Sequence, residues 1–314
     1  MINWGILGFG KMGFTFANAI RETSNSKLIG IASKSENTFQ DFKNKSYDEL
    51  ISDKKIDAIY LSTLNNTHIE LIKEIIKTGK KILCEKPVSI NFEELANVRK
   101  IILEKKIQFY EAIAYYSHQQ TLDILNLINN NEIGDIESIE SNFGFKAKFK
   151  PNSRLFNKSL GGGSIFDLGC YPISFIMLFT KNPEKLIITS KNLSYAKSGV
   201  DDEAIAHLSY DGIFNAKIHV SIKNNLKNTC VIKGSKGYIK ITEPWSPGVT
   251  SAIEVTNNKH FYIKSINSKL SLYSNQIEKV SESFLDRSKK LNLFDIEKSL
   301  INMKLMSNWL GAKN

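Results

Sequence analysis

Three side chains of this sequence, Lys86, Asp167 and Tyr171, are of types that carry out acid–base chemistry on alcohols. Lys86 lies between Glu85 and Pro87, directly after a short apolar run. An ammonium group there could polarise a substrate oxygen and lower the pKa of a neighbouring acid. Asp167 and Tyr171 are four residues apart, a spacing that puts both on one face of a helix. A carboxyl group beside a phenol could exchange a hydroxyl proton as a hydride leaves or reaches the same carbon.

Each of these residues also has a purely structural interpretation. A lysine after a strand is commonly solvated, and Asp167 and Tyr171 could form an ordinary buried hydrogen bond. The unperturbed pKa of a tyrosine phenol is about 10, so Tyr171 needs a nearby cation such as Lys86 to act as a base at neutral pH. Gly163 precedes Asp167 and Gly169 lies between Asp167 and Tyr171, and we expect these glycines to leave room for a bulky ligand.

The first residues predict how a cofactor is held. The apolar run 2–7 leads into a G-x-G-x-x-G turn formed by Gly8, Gly10 and Gly13, and a helical segment follows over 14–21. This order is the start of a dinucleotide-binding βαβ unit. The glycines permit a tight turn, close approach of a pyrophosphate, and close packing of helix on strand, while the helix N-terminus attracts the phosphates. The residues between the glycines are Phe9, Lys11 and Met12.

The end of the second predicted strand bears on the choice between NAD(H) and NADP(H). An acid at this point would hydrogen-bond the 2′-hydroxyl of NAD, but the sequence reads Ala32, Ser33, Lys34. A hydroxyl and an ammonium suit a 2′-phosphate, and Lys11 could add a second cation. We therefore favour NADP(H), with NAD(H) possible, while Lys34 could also be a plain surface residue.

Strand-like and helix-like segments alternate through the first 118 residues, which predicts a doubly wound parallel sheet. Ligands of such sheets bind beyond the carboxyl ends of the strands. Thr63, Asn65 and the run from Glu85 to Pro87 all follow predicted strands, so we expect them to line the same crevice as the glycine turn. His68 could line this crevice or serve structure alone.

From about residue 134 the pattern changes to alternating polar and apolar segments, which predicts a second domain of α+β class with a large, open, mostly antiparallel sheet. We divide the chain into a dinucleotide-binding domain, 1–118, and a second domain, 119–314. One helix is predicted over 164–179 and another over about 293–311, where it could pack back on the first domain. The loop 146–158 offers Arg154 and several lysines as substrate contacts.

Composition and the spacing of charged residues and cysteines argue against several classes of protein. Of 314 residues, 42% are hydrophobic and 24% charged, as in an ordinary globular protein. The formal charge of +10 favours anionic ligands, but the lysines are scattered and no base-reading motif occurs, so we predict no nucleic-acid partner. We expect no signal peptide and no membrane partner. The three cysteines are widely spaced, which predicts no metal site and a cytoplasmic setting.

These segments together resemble the glucose–fructose oxidoreductase / inositol dehydrogenase (Gfo/Idh/MocA) family over nearly the whole chain. The matching motifs are Gly8–Gly13, Ala58–Thr63 with Asn65 and His68, Glu85–Pro87, Glu111–Ala112 and Gly161–Tyr171. The resemblance implies a Rossmann domain followed by an α/β domain whose open sheet mediates association, here as a homodimer or homotetramer. It also implies hydride transfer between NAD(P) and a secondary alcohol or ketone of a sugar, a polyol or a trans-dihydrodiol.

The resemblance further implies roles for individual residues. Lys86 would bind the substrate hydroxyl near the nicotinamide, and Asp167 would bind or orient the substrate. Many members have histidine where this chain has Tyr171, and the tyrosine resembles the glucose–fructose oxidoreductase and dihydrodiol dehydrogenase branches, in which it is the acid/base. Tyr115 and His118 would contact the substrate, although His118 could equally serve packing or capping.

Two residues differ from the pattern of those branches. The branches commonly have arginine and proline where this chain has Tyr116 and Gln119, which affects the expected substrate contacts.

The alternative function is a dinucleotide-binding sensor or regulator on the same fold. Lys86, Asp167 and Tyr171 occurring together favour an enzyme, because a sensor needs only the cleft.

Overall fold

The computed structural model of the chain describes residues 1–34, 39, 42–258 and 260–311. The strands of this part are β1 Ile2–Leu7, β2 Ser26–Ala32, β3 Asn44–Lys45, β4 Ala58–Leu61, β5 Lys81–Cys84, β6 Phe109–Glu111, β7 Ile136–Gly144, β8 Leu186–Tyr195, β9 Asp201–Tyr210, β10 Phe214–Ser221, β11 Thr229–Gly234, β12 Gly237–Thr242, β13 Thr250–Asn257 and β14 Phe261–Asn267. The α-helices are α1 Lys11–Ala19, α2 Tyr47–Ser52, α3 His68–Lys77, α4 Phe92–Glu104, α5 Gln119–Asn129, α6 Cys170–Met177, α7 Leu272–Leu285 and α8 Ile296–Leu310.

The chain divides into two compact units. The first contains residues 1–117 and 269–300, and the second contains residues 118–268 and those from 301 onward. Helix α8 therefore begins in one unit and ends in the other. No helix of the described residues combines the length and hydropathy that a membrane crossing requires.

In the first unit, six parallel strands form a sheet in the order β3-β2-β1-β4-β5-β6. The central strands are almost wholly buried and apolar, as expected when helices cover both faces of a parallel sheet. Helix α7 completes this core, where Trp4 packs edge-on against Phe16 and donates through its indole N–H to Ser281 Oγ at 3.0 Å. The predicted doubly wound sheet is confirmed.

Local sequence explains where the helices of this unit begin. Ser46 caps α2 and accepts from Glu49 N–H, while the Glu49 carboxylate accepts in return from Ser46 N–H. Asn91 caps α4 by accepting from Glu94 N–H. Helix α3 buries an apolar stripe with helical spacing, formed by Ile69, Ile72, Ile75 and Ile76.

In the second unit, eight strands form a sheet in the order β14-β13-β12-β11-β7-β10-β9-β8. Its neighbours are antiparallel except for β7 and β10, which are parallel. The predicted open, mostly antiparallel sheet is therefore confirmed. Strands β11 and β12 form a hairpin within this sheet.

The helix expected over 164–179 is divided. Residues Ile165–Gly169 form a π-helical turn, and α6 continues from Cys170. Asp167 therefore lies in the π turn and Tyr171 in the α-helix. π turns inside helices frequently mark functional sites.

Candidate functional site

The glycine turn between β1 and α1 has the geometry that its sequence predicts. Gly8 has φ of 98°, and a Cβ there would lie 2.7 Å from the backbone nitrogen of Thr63. A Cβ on Gly13 would lie 2.6 Å from the carbonyl oxygen of Gly8, so helix and strand pack at a distance that a side chain prevents. Ser62 Oγ donates to that same carbonyl at 2.7 Å.

Gly10 differs from the other two glycines. It lies at the N-cap position of α1, and a Cβ built there would meet nothing within 4 Å. A glycine at this position has no side chain to accept from the first helical N–H groups, which leaves them to water or an anion. These features fit the pyrophosphate of a dinucleotide. Phe9 is buried and Met12 half-buried at this turn, and Lys11 is exposed.

Ser33 and Lys34 directly follow β2, whose carboxyl end adjoins the glycine turn: Gly8 N–H donates to Ala32 O at 2.8 Å. Ser33 is half-buried, and its carbonyl accepts from Asn44 Nδ2 at 2.9 Å. Lys34 is exposed. The hydroxyl and the ammonium thus lie at the strand end where the ribose of a dinucleotide is recognised.

His68 connects the turns that follow β4 and β5. It is fully buried, with Nδ1 at 3.0 Å from Pro87 O and Nε2 at 3.2 Å from Thr63 O. Burial lowers the pKa of His68 to about 4, so its imidazole is neutral at pH 7. Asn65 is half-buried and begins a 3₁₀ turn just before α3. The structure thereby brings Thr63, His68 and the Glu85–Pro87 turn together.

The Lys86 turn is held by buried acids. Glu85 is buried, accepts a very short hydrogen bond from the Tyr60 hydroxyl, and accepts from Lys86 N–H at 3.3 Å. The Lys86–Pro87 peptide bond is cis, and the Lys86 side chain is half-buried. The carboxylate of Glu85 therefore holds the backbone of the residue that follows it, Lys86.

Glu111 is a second buried acid at this turn, and its role was not predicted. Its Oε1 accepts from the backbone N–H of Val88 at 3.3 Å, and only 3% of the residue is exposed. Burial raises the pKa of Glu111 to about 7, with a smaller contribution from Glu85, and Lys86 opposes the rise. The Glu-Ala motif at the end of β6 gave the only sequence signal for it.

In the second unit, Asp167 and Arg154 form an ion pair. Arg154 Nη1 lies 2.8 Å from Asp167 Oδ1, and the arginine side chain is 53% exposed whereas that of Asp167 is 7% exposed. The pairing fixes the carboxylate in one orientation while the guanidinium faces solvent. Two residues predicted independently as substrate contacts are thus in direct contact.

Tyr171 lies in the first turn of α6, among aromatic rings. Its ring is 5.5 Å from that of Phe143 at an interplanar angle of 80°, and 6.4 Å from that of Trp245. Such edge-to-face packing restricts the ring and keeps the phenol oxygen in a defined place. Tyr171 is half-buried.

The expectation that Gly163 and Gly169 leave room for a ligand is wrong. A Cβ on Gly163 would lie 2.1 Å from Asp201 Oδ1, and one on Gly169 would lie 3.1 Å from the Trp309 ring. The space beside these glycines is filled by the protein itself, from segments distant in sequence.

Asp201 fills one of these spaces and caps the π turn. Its Oδ2 accepts from Ser164 Oγ at 2.7 Å and from Ile165 N–H at 2.8 Å. Burial raises the pKa of Asp201 to about 6, against the lowering effect of these hydrogen bonds. Nothing in the local sequence of β9 singles it out, because its partners are more than 30 residues away.

Tyr115 and His118 are both fully buried, so their substrate contacts stay predictions. His118 caps α5, since its Nδ1 accepts from Gln120 N–H at 3.2 Å. Burial lowers the pKa of His118, which keeps the ring neutral. Within the described residues, no group of three or more His, Cys, Asp or Glu side chains could hold a metal ion.

Comparisons with known proteins give the same picture as the fold. Residues 121–240 match the model of the GFO/IDH/MocA C-terminal domain, and residues 2–113 match the model of the oxidoreductase family with an NAD-binding Rossmann fold. The chain is 29% identical over 257 residues to trans-1,2-dihydrobenzene-1,2-diol dehydrogenase of Xenopus tropicalis, covering 78% of this chain and 76% of that protein. It is 26% identical over 261 residues to D-xylose 1-dehydrogenase (NADP(+)) 2 of Haloferax volcanii, covering 81% and 79%.

The fold also matches solved structures. The 3-ketoreductase KijD10 from Actinomadura kijaniata, in complex with NADP and TDP-benzene, superposes with a TM-score of 0.89 at 19% identity, covering 99% of this chain and 97% of that one. At this identity the likeness shows the shared fold. Both halves of the chain match models of one family, and this protein belongs to the Gfo/Idh/MocA family of oxidoreductases, with an NAD(P)-binding Rossmann domain at its N-terminus.

Proposed function

We propose that this protein transfers a hydride between NADP(H) and a secondary alcohol or ketone of a sugar, a polyol or a trans-dihydrodiol. The observation that supports the proposal most directly is the open space beside Gly10 at the start of α1. In the same turn Gly8 packs closely on Thr63, and His68 connects Thr63 to the turn that carries Lys86. The names of the relatives support the substrate class, because they act on a dihydrodiol and on D-xylose.

The first unit would hold the cofactor. The glycine turn would cradle the pyrophosphate, while Ser33, Lys34 and Lys11 would bind the 2′-phosphate. The turns after β4 and β5 would line the nicotinamide side of the crevice. These turns contribute Thr63, Asn65, His68, Glu85 and Lys86.

Lys86, Asp167 and Tyr171 would carry out the acid–base chemistry. The bound nicotinamide supplies the hydride acceptor or donor. During oxidation, Tyr171 Oη would take the proton of the substrate hydroxyl, and during reduction it would return that proton. Lys86 would polarise the same oxygen and favour the ionised phenol.

Asp167, Tyr115 and His118 would orient the substrate. Asp167 would accept a hydrogen bond from a neighbouring substrate hydroxyl, and its ion pair with Arg154 fixes the orientation of its carboxylate. Tyr115 and His118 would complete the substrate contacts from the segment that follows β6.

The domain assignment and the assembly follow from the same proposal. Residues 1–118 would bind the cofactor, and residues 119–314 would bind the substrate and mediate association. A homodimer or homotetramer would form through the second sheet, where Phe261 and Ile263 of its edge strand β14 are each more than half exposed. The three buried cysteine thiols suit a reducing cytoplasm.

The test is a titration of purified protein with NADPH and with NADH, followed by energy transfer from tryptophan to the reduced nicotinamide. Selective binding of NADPH supports the phosphate site and directs a screen of sugars and dihydrodiols with that cofactor. Preference for NADH contradicts the proposed cofactor while leaving the chemistry in place. If neither binds, the protein does not act as proposed.

A further inference from the structure

The segment that connects β7 to the π turn has an unusual charge. From Ser141 to Phe166 the chain contains no aspartate or glutamate. Residues 145–160, here called the basic loop, contain five cations, and the formal charge of the whole chain is +10. The cations are Lys146, Lys148, Lys150, Arg154 and Lys158. A positive charge of this density on one loop is a local feature, unlike the scattered lysines elsewhere.

The basic loop has a defined conformation. Phe145 and Ala147 N–H groups donate to Ser221 O and Ile222 O at 3.0 and 2.9 Å, which extends the pairing of β7 with β10. Lys146 N–H donates to Asn225 Oδ1 at 2.7 Å. These bonds fix the first half of the loop against the sheet, so its lysines project from an ordered backbone.

The second half of the loop is fixed against the glycine run. Gly162 N–H donates to Asn157 O at 3.0 Å, and Gly163 N–H donates to Leu155 O at 3.0 Å. A Cβ on Gly162 would lie within 3 Å of three carbonyl oxygens of residues 154–157. The loop therefore packs directly on the segment that leads into the π turn.

The basic loop borders both proposed site residues of this unit. It begins two residues after Phe143, whose ring packs on Tyr171, and its Arg154 binds Asp167. Arg154 and the four lysines are exposed. Within the described residues, Arg154 is the one cation of the basic loop that lies within ion-pair distance of a carboxylate, and none of the four lysines does.

We propose that the basic loop recognises an anionic group, a phosphate or a carboxylate, on the substrate. This inference rests on the proposed function, which places the substrate beside Asp167 and Tyr171. Lysine and arginine side chains on an ordered loop raise the local concentration of anions and bind them in proportion to their charge. A neutral sugar would gain nothing from this arrangement.

Three matched pyranoses test the inference: D-glucose, D-glucuronate and D-glucose 6-phosphate. Their dissociation constants are measured by calorimetry with NADPH present. The test variant is the triple substitution Lys146→Gln, Lys148→Gln and Lys150→Gln, which removes charge and keeps side-chain length. The control is a triple Lys→Gln substitution at three exposed lysines of the same unit, Lys181, Lys197 and Lys236.

We expect wild type to bind at least one anionic pyranose about tenfold or more tightly than glucose, and added salt to reduce the difference. The loop variant should lose most of this preference, whereas the control variant and the affinity for NADPH should not change. A preference for the phosphate or for the carboxylate identifies which group the loop binds. Equal binding of neutral and anionic pyranoses by wild type, or an unchanged preference in the loop variant, overturns the inference.

Turnover distinguishes this inference from the proposed function. If the loop-dependent preference occurs but NADP⁺ is never reduced with any substrate of the screen, the anion site stands and the enzymatic proposal fails. If neutral sugars are oxidised and both anionic pyranoses bind no better, the enzyme stands and the anion site is rejected.

Discussion

The carboxylate of Glu111 accepts a hydrogen bond from the backbone N–H of Val88 at 3.3 Å, and so holds the turn that carries Lys86 from the neighbouring strand. Glu85 holds the same turn from within, through Lys86 N–H. Burial raises the pKa of Glu111 to about 7, and the nearby charge of Glu85 adds to the rise while Lys86 opposes it. The position of the lysine backbone is thus coupled to a group that titrates near neutrality.

Replacing Glu111 by glutamine should change how stability depends on pH. A carboxyl with a pKa of about 7 when folded, against about 4.5 when unfolded, binds more protons in the folded state between these values. Wild type should therefore lose about 3 kcal/mol of unfolding free energy as pH rises from 4.5 past 7, through this group alone. In Glu111→Gln that loss should be absent, while the Val88 hydrogen bond is kept.

Urea denaturation of both proteins at pH 5 and pH 8 measures this difference. Parallel changes in wild type and variant would show that Glu111 titrates normally. Glu104→Gln, in the exposed last turn of α4, serves as a control for the loss of one carboxylate.

Asp201 should stabilise the π turn that carries Asp167. Asp201→Ala removes the acceptor of Ser164 Oγ and Ile165 N–H, and we expect it to lower the unfolding free energy by about 1–3 kcal/mol. Asp201→Asn retains an acceptor oxygen and should lose much less. Equal losses in the two variants would mean that the cap does not depend on this hydrogen bonding.

Local sequence predicted the first half of the fold well, for a physical reason. The strand, glycine turn and helix at residues 2–19, and the buried strands β4 and β5, are determined by apolar runs and by glycines that act on close neighbours. The antiparallel sheet was also recognisable, because its period of two is visible in β7, β9 and β10. In contrast, α7 was missed because Ser and Glu interrupt its apolar stripe.

The site was less predictable where its geometry depends on distant residues. Trp309, far along the chain, packs against Gly169 and leaves little room for a side chain there. No local sequence pattern indicates that contact. Likewise Asp201 reaches the π turn through the pairing of β9 with its neighbours. Residue types indicated Asp167 and Arg154 separately, but only the fold shows that they form an ion pair.

Gly10 and Gly13 should respond differently to the same substitution. Gly10→Ala meets open space in the folded protein and should leave stability within about 1 kcal/mol, but its methyl group should weaken NADPH binding about tenfold or more. Gly13→Ala forces a methyl group against Gly8 O and should cost about 1–3 kcal/mol of stability. Thermal unfolding and an NADPH titration of both variants separate the effects, and a Gly10→Ala protein with normal NADPH affinity would contradict the pyrophosphate assignment.

Lys34 should determine the preference between cofactors. In Lys34→Asp an acid takes the place of a cation at the end of β2, so NADPH binding should weaken far more than NADH binding, by a relative factor of about ten or more. Lys27→Asp, exposed near the opposite end of the same strand, provides the matched charge change. Equal losses for the two cofactors would remove Lys34 from the 2′-phosphate site.

Tyr171 should contribute to turnover and not to cofactor binding. Tyr171→Phe keeps the ring packed against Phe143 and removes only the hydroxyl, so the fold should be retained. We expect turnover to fall at least about a hundredfold, because the proton of the substrate hydroxyl loses its acceptor, while the NADPH dissociation constant changes little. Tyr195→Phe, which removes a hydroxyl from a tyrosine that is 60% exposed, is the control. Turnover is measured with the best substrate of the sugar and dihydrodiol screen, and wild-type turnover in Tyr171→Phe would assign the acid/base role to another residue.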